Sequence, residues 1–165
     1  MKEVYKNPWF SVIQDENYHY LYERGADNGA VVLLLINDGF VFVSVRRPAH
    51  AAVMIEAPRG YGDEGETSAA CAIREVFEET GYQFQQSQLT KLGVLRPNSA
   101  ILAAAIDVYL IEAEVADQLA APQEEVEGVI VIPSAKIHQQ IAQGRISDGF
   151  TLSALAMYWS IKAGK

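Results

Sequence analysis

The segment that most restricts the possible folds of this chain is a glycine-rich loop that leads directly into an amphipathic helix. Residues 60–82 read GYGDEGETSAACAIREVFEETGY. The apolar positions of this segment recur at helical spacing, at Ala69, Ile73, Val76, Phe77 and Thr80. This pattern predicts a helix over residues 67–80 with one face packed on a core. Gly81 is a natural end for that helix, because glycine readily adopts the left-handed conformation of a C-cap.

Three glutamates lie on another face of the same helix. Glu75, Glu78 and Glu79 stand at i, i+3 and i+4, so their side chains are neighbours on the helix surface. Like charges at this spacing repel, whereas a divalent cation would attract them, and carboxylate oxygens suit Mg²⁺ or Mn²⁺. The alternative is a solvated acidic face. The register of Gly60 and Arg74 around the glutamates favours the metal site.

The complete register resembles the Nudix box, through Gly60, Glu66, Arg74-Glu75-Val76, Glu78-Glu79, Gly81 and the bulky Tyr82. This resemblance implies an α+β fold, an α/β/α sandwich with a mixed sheet between helices, and metal-dependent cleavage of a pyrophosphate bond. The glycines of the loop also fit the dinucleotide-binding fingerprint of a Rossmann fold. That alternative is weaker, because it leaves the glutamates unexplained and needs repeated β-α-β units that the chain lacks.

The flanks of the box resemble the ADP-ribose pyrophosphatase-like group of this family. The similar segments are residues 43–48, EAPRG at residues 56–60, Pro97, and GRISD at residues 144–148. The resemblance implies ADP-ribose or an ADP-sugar as substrate, AMP plus a sugar phosphate as products, and a homodimer formed through N-terminal strands. Residues 98–105 depart from the group's pattern, and Arg59 replaces its usual small residue, so specificity is expected to depend on these positions.

The family pattern implies a set of metal ligands and an orienting arginine. Glu75, Glu78 and Glu79 are expected to bind Mg²⁺ or Mn²⁺, with the backbone carbonyl of Arg59 as a further oxygen ligand. Arg74 is expected to pair with the box glutamates and fix their rotamers. An ordinary i,i+4 ion pair between Arg74 and Glu78 is the alternative.

In the ADP-ribose-type enzymes, a glutamate from a later loop acts as the general base. The acidic segment at residues 123–127 lies where that loop is expected, and Glu125 fits best, followed by Glu124 and Glu127. The implied mechanism is attack of a metal-activated water on one phosphorus, with a positioned carboxylate accepting the proton. A solvated acidic loop is the alternative for each glutamate.

Four further residues are predicted substrate contacts. Arg46 or Arg47 would clamp phosphate or stack on a base, because a planar guanidinium does both, although an arginine that closes a strand is as often a surface residue. Glu56, at the end of a predicted strand, either faces the site or lies on the surface. Pro97 occupies the position of a family proline, and turn chemistry alone also explains it.

The remaining elements follow from local patterns. Strands are predicted at residues 11–13, 18–23, 30–36, 40–46, 53–57, 89–96, 104–112 and 126–132. Asn37-Asp38-Gly39 predicts a hairpin turn. A helix is expected over residues 133–143, and a last helix is capped by Ser147 or Asp148, with an apolar stripe at Leu152, Leu155, Ala156 and Trp159.

Length, charge and composition restrict the number of domains, the partners and the cellular compartment. A chain of 165 residues, half of them hydrophobic, fits one domain over residues 1–165, with a short N-terminal strand segment at about residues 1–25. The net charge of −8 argues against a nucleic-acid partner. The longest aliphatic run is too short to span a bilayer, and the start has no leader, so a cytoplasmic protein without membrane contact is expected. The single Cys71 fits a reducing compartment.

Three functions are compatible with these residues. The first is hydrolysis of ADP-ribose or an ADP-sugar, and the second is hydrolysis of another small-molecule nucleoside diphosphate derivative, such as a dinucleoside polyphosphate, NADH or a GDP-sugar. The third is a non-catalytic sensor that binds a nucleotide sugar. The intact box glutamates favour an enzyme.

Overall fold

A computed structural model describes residues 1–164 of the chain. Within these residues, the strands are β1 (Lys2–Lys6), β2 (Phe10–Asp15), β3 (Tyr18–Glu23), β4 (Ala30–Ile36), β5 (Gly39–Arg47), β6 (Ala52–Glu56), β7 (Arg59–Gly60), β8 (Thr90–Leu95), β9 (Ile106–Ala113) and β10 (Val126–Pro133). The α-helices are α1 (Ser68–Thr80), α2 (Ile137–Ala142) and α3 (Gly149–Ala163).

The strands form two sheets. β1, β2 and β3 make an antiparallel sheet of their own. The larger sheet has the order β10-β5-β4-β9-β8, with β6 paired to β5 and β7 paired to β4. In this larger sheet β4 and β9 run parallel and the other pairs are antiparallel, so the sheet is mixed, as predicted. A Rossmann fold is built on repeated parallel pairs, which excludes the dinucleotide-binding alternative.

The larger sheet is covered by helices on both faces. Along β4, Ala30, Val32 and Leu34 pack in one apolar cluster with buried residues of α1, while Val31 and Leu33 pack in another with buried residues of α3. Successive residues of a strand point to opposite faces, which explains why the whole of AVVLLLI is apolar. The predicted α/β/α sandwich is therefore confirmed.

Most of the predicted strands are present within one or two residues of their predicted ends. The Asn37-Asp38 turn has φ of 44° and 63° at its two residues, and Ile36 pairs with Gly39 across it, as a two-residue hairpin requires. β1 and β7 were not predicted. β1 reads KEVYK and is exposed throughout, so it has no apolar alternation, and β7 is only two residues long.

The helices end where local chemistry predicts, but their buried faces differ from the predicted ones. Asp148, not Ser147, caps α3, through a 2.8 Å hydrogen bond from the Thr151 amide to its carboxylate. On α1 Phe77 is 39% exposed, and on α3 Ala156 is exposed, so neither belongs to the core as predicted. The helix predicted over residues 133–143 is shortened to α2, because a 3₁₀ turn at Ser134–Lys136 precedes it.

No helix within residues 1–164 combines the length and the apolar character needed to cross a membrane.

Candidate functional site

The loop that precedes α1 packs closely against the helix. A methyl group added at Gly60 would collide with the carboxylate of Glu75, so glycine at this position lets that carboxylate lie against the loop. The Asn28 side-chain amide holds the same loop by donating to the carbonyls of Asp63 and Glu66, at 2.8 and 2.9 Å. Thr67 then caps α1 by accepting from the Ala70 amide at 3.2 Å.

Arg74 is the centre of an ion-pair cluster on this helix. Its guanidinium lies 2.7 Å from Glu75, 3.0 Å from Glu78 and 2.8 Å from Glu66. It also donates to the backbone carbonyl of Tyr61 at 2.9 Å. Arg74 thus contacts three carboxylates of the box together with the loop, more than a single i,i+4 pair would give. Its hydrogen bond lowers the pKa of Glu66, whereas burial raises the pKa of Glu75.

Glu79 is hydrogen-bonded to Arg59 and does not pair with Arg74. The backbone amide of Arg59 donates to its carboxylate at 3.0 Å. Burial raises the pKa of Glu79 to about 8, and the negative charge of Glu75 acts in the same direction. The amide of Arg59 and the positive charges of Arg59 and Arg47 oppose this shift without cancelling it. Glu79 is therefore a half-buried carboxylate whose charge is incompletely compensated by its protein surroundings.

The donor set fits a hard divalent cation. Carboxylates of Glu75, Glu78 and Glu79 and the nearby backbone of Arg59 offer oxygen ligands of the type that Mg²⁺ prefers. In the part of the chain that the structure describes, no three acidic, histidine or cysteine side chains already converge on one point. Arg74 explains this, because Glu75 and Glu78 turn toward its guanidinium while Glu79 turns toward Arg59. A cation would compensate the charge of Glu79 that the protein leaves unbalanced.

Glu56 lines a cavity beside the box but does not lie on the surface. Its side chain is 2% exposed, and both carboxylate oxygens are occupied. Arg47 donates to them from Nε at 2.8 Å and from Nη2 at 2.6 Å, and Arg59 donates from Nη2 at 2.8 Å. These bonds lower the pKa of Glu56 against the opposing effect of burial. Glu56 is therefore held by two arginines, and its predicted contact with substrate stays a prediction.

Arg46 and Arg47 have different positions, although they are adjacent in sequence. Arg47 meets Glu56 and lines a cavity of about 510 Å³, together with Arg59 and residues 147–150. Arg46 is exposed, and its side chain points to the opposite face of β5, because successive strand residues alternate. Of these two alternatives, Arg47 lines the cavity and Arg46 does not, so a proposed phosphate contact rests on Arg47.

The predicted base lies in a loop that reaches α1. The amide of Gln123 donates to the carbonyl of Glu78 at 2.9 Å, and Leu119 donates to that of Gly81 at 2.8 Å, so residues 118–123 run along the end of the box helix. Glu124, Glu125 and Glu127 follow this contact and are exposed. The loop is therefore adjacent to the box, and the choice among the three glutamates stays a prediction.

The segment after Pro97 lies along the small sheet. Leu21 of β3 donates to the carbonyl of Ile101 at 2.7 Å and accepts from the amide of Ala103 at 2.9 Å. Residues 101–103 thus extend the edge of β3 by a short parallel bridge. Pro97 itself is half-buried, and its predicted substrate contact stays a prediction.

Two residues of the cavity were not predicted to belong to the site. Phe150 carries the guanidinium of Arg59 over its ring, 4.3 Å from the centroid, and Asp148 lies 3.9 Å from the same guanidinium. Asp148 was predicted only as a cap, from the GRISD turn. That motif was the available signal, but the proximity of α3 to the box depends on long-range packing.

Comparisons with known proteins identify the family of this chain. The NUDIX domain profile matches residues 26–149. A GDP-mannose pyrophosphatase of Yersinia pestis (strain Pestoides F) is 30% identical over 149 residues, which cover 82% of this chain and 71% of the relative. One from Yersinia enterocolitica serotype O:8 / biotype 1B is 30% identical over 145 residues, covering 82% of this chain and 74% of the relative.

A solved structure described as an ADP compounds hydrolase superposes with a TM-score of 0.74, covering 99% of this chain and 91% of that one at 18% identity. At this identity the likeness shows the fold. With the family profile and the 30% identical relatives, it establishes that the chain belongs to the Nudix family, as a pyrophosphohydrolase resembling the ADP-ribose pyrophosphatase-like group. The resemblance predicted from the box is confirmed.

Proposed function

We propose that this chain hydrolyses the pyrophosphate bond of a nucleoside diphosphate sugar with the help of Mg²⁺ or Mn²⁺. The observation that carries the proposal is the position of Glu79: its half-buried carboxylate accepts from the Arg59 amide at 3.0 Å beside two further box glutamates, and its pKa is raised. Such a group has a lower free energy once a divalent cation compensates its charge. An acidic surface that is only solvated would have no reason to bury Glu79.

In this proposal Glu75, Glu78, Glu79 and the carbonyl of Arg59 hold the metal. When bound, the metal lowers the pKa of an attacking water and neutralises charge that develops on the phosphates. Arg74 fixes the rotamers of Glu75 and Glu78 through ion pairs of 2.7 and 3.0 Å. Arg47 binds a phosphate oxygen, and Glu125 of the loop tied to Glu78 accepts the proton of the attacking water.

The choice of nucleotide is the finer part of the proposal. ADP-ribose or an ADP-sugar is the substrate that the box flanks favour, and the products would be AMP and a sugar phosphate. The named function of the 30% identical relatives favours GDP-mannose as a second candidate. Residues 98–105 depart from the ADP-ribose pattern, so we expect this segment to influence the choice of substrate, and both candidates are tested together.

The test is hydrolysis of a matched panel: ADP-ribose, ADP-glucose, GDP-mannose, NADH and a diadenosine polyphosphate, each with Mg²⁺, with Mn²⁺ and with excess chelator. The products are separated by chromatography. We expect metal-dependent release of a nucleoside monophosphate and a sugar phosphate from one nucleotide sugar above all others. Absence of turnover on the whole panel, together with metal-dependent binding of a nucleotide sugar, would contradict the proposal and favour a sensor.

We also propose a homodimer that uses the N-terminal strands. The small sheet and the turn beside it expose Val4, Tyr5 and Trp9, at 43%, 53% and 76%, which is apolar surface that a second copy would cover. Sedimentation equilibrium at micromolar concentration is the measurement. A monomer throughout would contradict this part of the proposal and leave the hydrolase assignment unchanged.

A further inference from the structure

The cavity of about 510 Å³ beside the box is lined by two guanidinium groups that one buried carboxylate holds. Arg47 is the last residue of β5 and Arg59 is the first residue of β7. Both side chains donate hydrogen bonds to the carboxylate of Glu56 on β6. Arg59 lies at a position where the family pattern has a small residue.

Glu56 is buried too deeply to be a surface ion pair. A buried carboxylate is costly unless its oxygens are hydrogen-bonded and its charge is paired, and here Arg47 and Arg59 together provide three hydrogen bonds of 2.6 to 2.8 Å. Since both arginines bond the same carboxylate, their guanidinium groups are held close together in spite of their like charge.

The two arginines keep donors that the protein does not use. Neither Nη1 group is hydrogen-bonded to any part of the chain that the structure describes, and the Nε of Arg59 is buried without a partner among the same residues. Asp148 is the other carboxylate at the cavity, 3.9 Å from Arg59. Its Oδ2 is committed to the cap of α3, where it accepts from Thr151 at 2.8 and 2.7 Å.

We propose that Glu56 is a positioning residue which holds Arg47 and Arg59 as a guanidinium pair, and that this pair binds the diphosphate group of the substrate. The inference rests on the proposed function for the reaction itself and adds Arg59 as a second phosphate contact. A guanidinium presents a planar fork of donors that matches phosphate oxygens, and two such forks match two linked phosphoryl groups. The guanidinium carbon of Arg59 lies 4.3 Å from the centroid of the Phe150 ring, so a cation–π contact supports its orientation.

The direct test measures binding of a diphosphate that cannot be hydrolysed. Methylenediphosphonate is titrated into the protein in Mg²⁺ by calorimetry, and Mg²⁺ alone is titrated separately. Arg59→Leu keeps an apolar side chain on Phe150 and removes the fork. We expect it to weaken diphosphonate binding by roughly 10- to 100-fold, the usual effect of losing charge-assisted hydrogen bonds, with Mg²⁺ affinity unchanged within about twofold. Diphosphonate affinity equal to that of the wild type would overturn the inference.

A double-mutant cycle separates positioning from general support of the fold. Glu56→Gln should weaken diphosphonate binding in the wild-type background but have no further effect once Arg47→Leu and Arg59→Leu are both present. If the loss persists in that background, Glu56 does not act through the arginines and the proposal is wrong. Should Glu56→Gln fail to fold, Arg59→Lys replaces it, since it keeps the charge without the fork and is expected to recover only part of the affinity.

Arg46→Leu is the matched control, because Arg46 neighbours Arg47 on β5 and points to the opposite face. It should bind diphosphonate like the wild type. Failure of this inference is distinguishable from failure of the proposed function. A wild type that hydrolyses nucleotide sugars, with Arg59→Leu unaffected in KM and in diphosphonate binding, refutes only the guanidinium pair. A wild type that binds diphosphonate through the pair but hydrolyses nothing refutes only the hydrolase.

Discussion

The two faces of the large sheet differ in the polarity of the side chains packed on them. On the face covered by α3, the core consists of large apolar side chains such as Phe40, Phe42 and Leu155, each 1% exposed or less. On the face covered by α1, the apolar cluster is bordered by Glu56, Glu75 and Glu79, with arginines between them. The α3 face is stabilised mainly by apolar burial, whereas the α1 face holds buried and half-buried carboxylates that need partners.

This difference indicates that the α3 face contributes mainly to stability and the α1 face mainly to function. Apolar burial contributes roughly 25 cal/mol per Å² and is tolerant of pH and metal ions. Buried carboxylates contribute little net stability and make the α1 face responsive to cations and protons. Changes on the α1 face should therefore alter the reaction at constant stability, and changes on the α3 face should do the reverse.

The largest expected effect is on activity, from Glu79→Gln. Removal of this carboxylate should lower kcat on the order of 10³-fold, because its charge is needed to hold the metal that activates the attacking water. The thermal midpoint of the metal-free protein should not fall, since the amide needs no counter-charge. Steady-state kinetics and calorimetry provide both numbers. Wild-type turnover by this variant would refute the metal assignment.

A smaller loss is expected from Gly60→Ala. The added methyl group meets the Glu75 carboxylate, so either the loop or Glu75 must move. A displacement of about 1 Å at a ligand costs roughly 100-fold in activity. Gly65→Ala is a control in the same loop, because a methyl group there has no neighbour within 4 Å, although its φ of 80° adds some strain. Equal activities of the two variants would contradict the close-approach argument.

Leu155→Ala tests the opposite face. Leu155 is fully buried in the apolar cluster of α3, and its truncation should lower the free energy of unfolding by about 2–5 kcal/mol. The kcat of the folded fraction at 15 °C should stay within about twofold of the wild type, because no box residue is touched. Urea unfolding and kinetics on the same preparation check both. A large loss of kcat in fully folded protein would show that the two faces are coupled.

The pH dependence of stability should also differ between the faces. Burial raises the pKa of Glu79 to about 8 in the fold, from 4.5 as the reference. A raised carboxyl pKa contributes stability below pH 4.5 that is lost progressively as the pH rises to about 8. In chelator, the thermal midpoint of Glu79→Gln minus that of the wild type should therefore grow between these values and level off above them. A difference that is flat with pH would contradict the burial of this charge.

The smallest effect is expected at a turn that belongs to neither face. Ala51 has φ of 50°, a left-handed conformation that costs a non-glycine residue about 1–2 kcal/mol, and it is exposed. Ala51→Gly should relieve this strain and raise stability by at most about 1 kcal/mol, since glycine also gains freedom in the unfolded chain. Urea unfolding measures it, and a clear destabilisation would argue against strain at this turn.

Local patterns accounted for a large part of the fold. The run AVVLLLI, the Asn37-Asp38-Gly39 turn and the Gly81 cap each depend on neighbours in sequence, so they were predictable. β1 escaped prediction because every residue in it is exposed, and Phe77 was misplaced because helical periodicity does not say how wide the covered face is. The partners of Glu56 also escaped, since strand position alone left its side chain on either the site or the surface.

By itself, the sequence determined the family, the helix with its three glutamates and the arginine among them, because these depend on spacing within one continuous segment. Tertiary structure decided which charges meet across segments. It brought Glu56 between Arg47 and Arg59, separated Arg46 from the site, and placed Asp148 and Phe150 beside the box. The physical reason is that buried charges must find partners wherever the packed sheet brings them, and the energy of that pairing depends on burial that no local pattern contains.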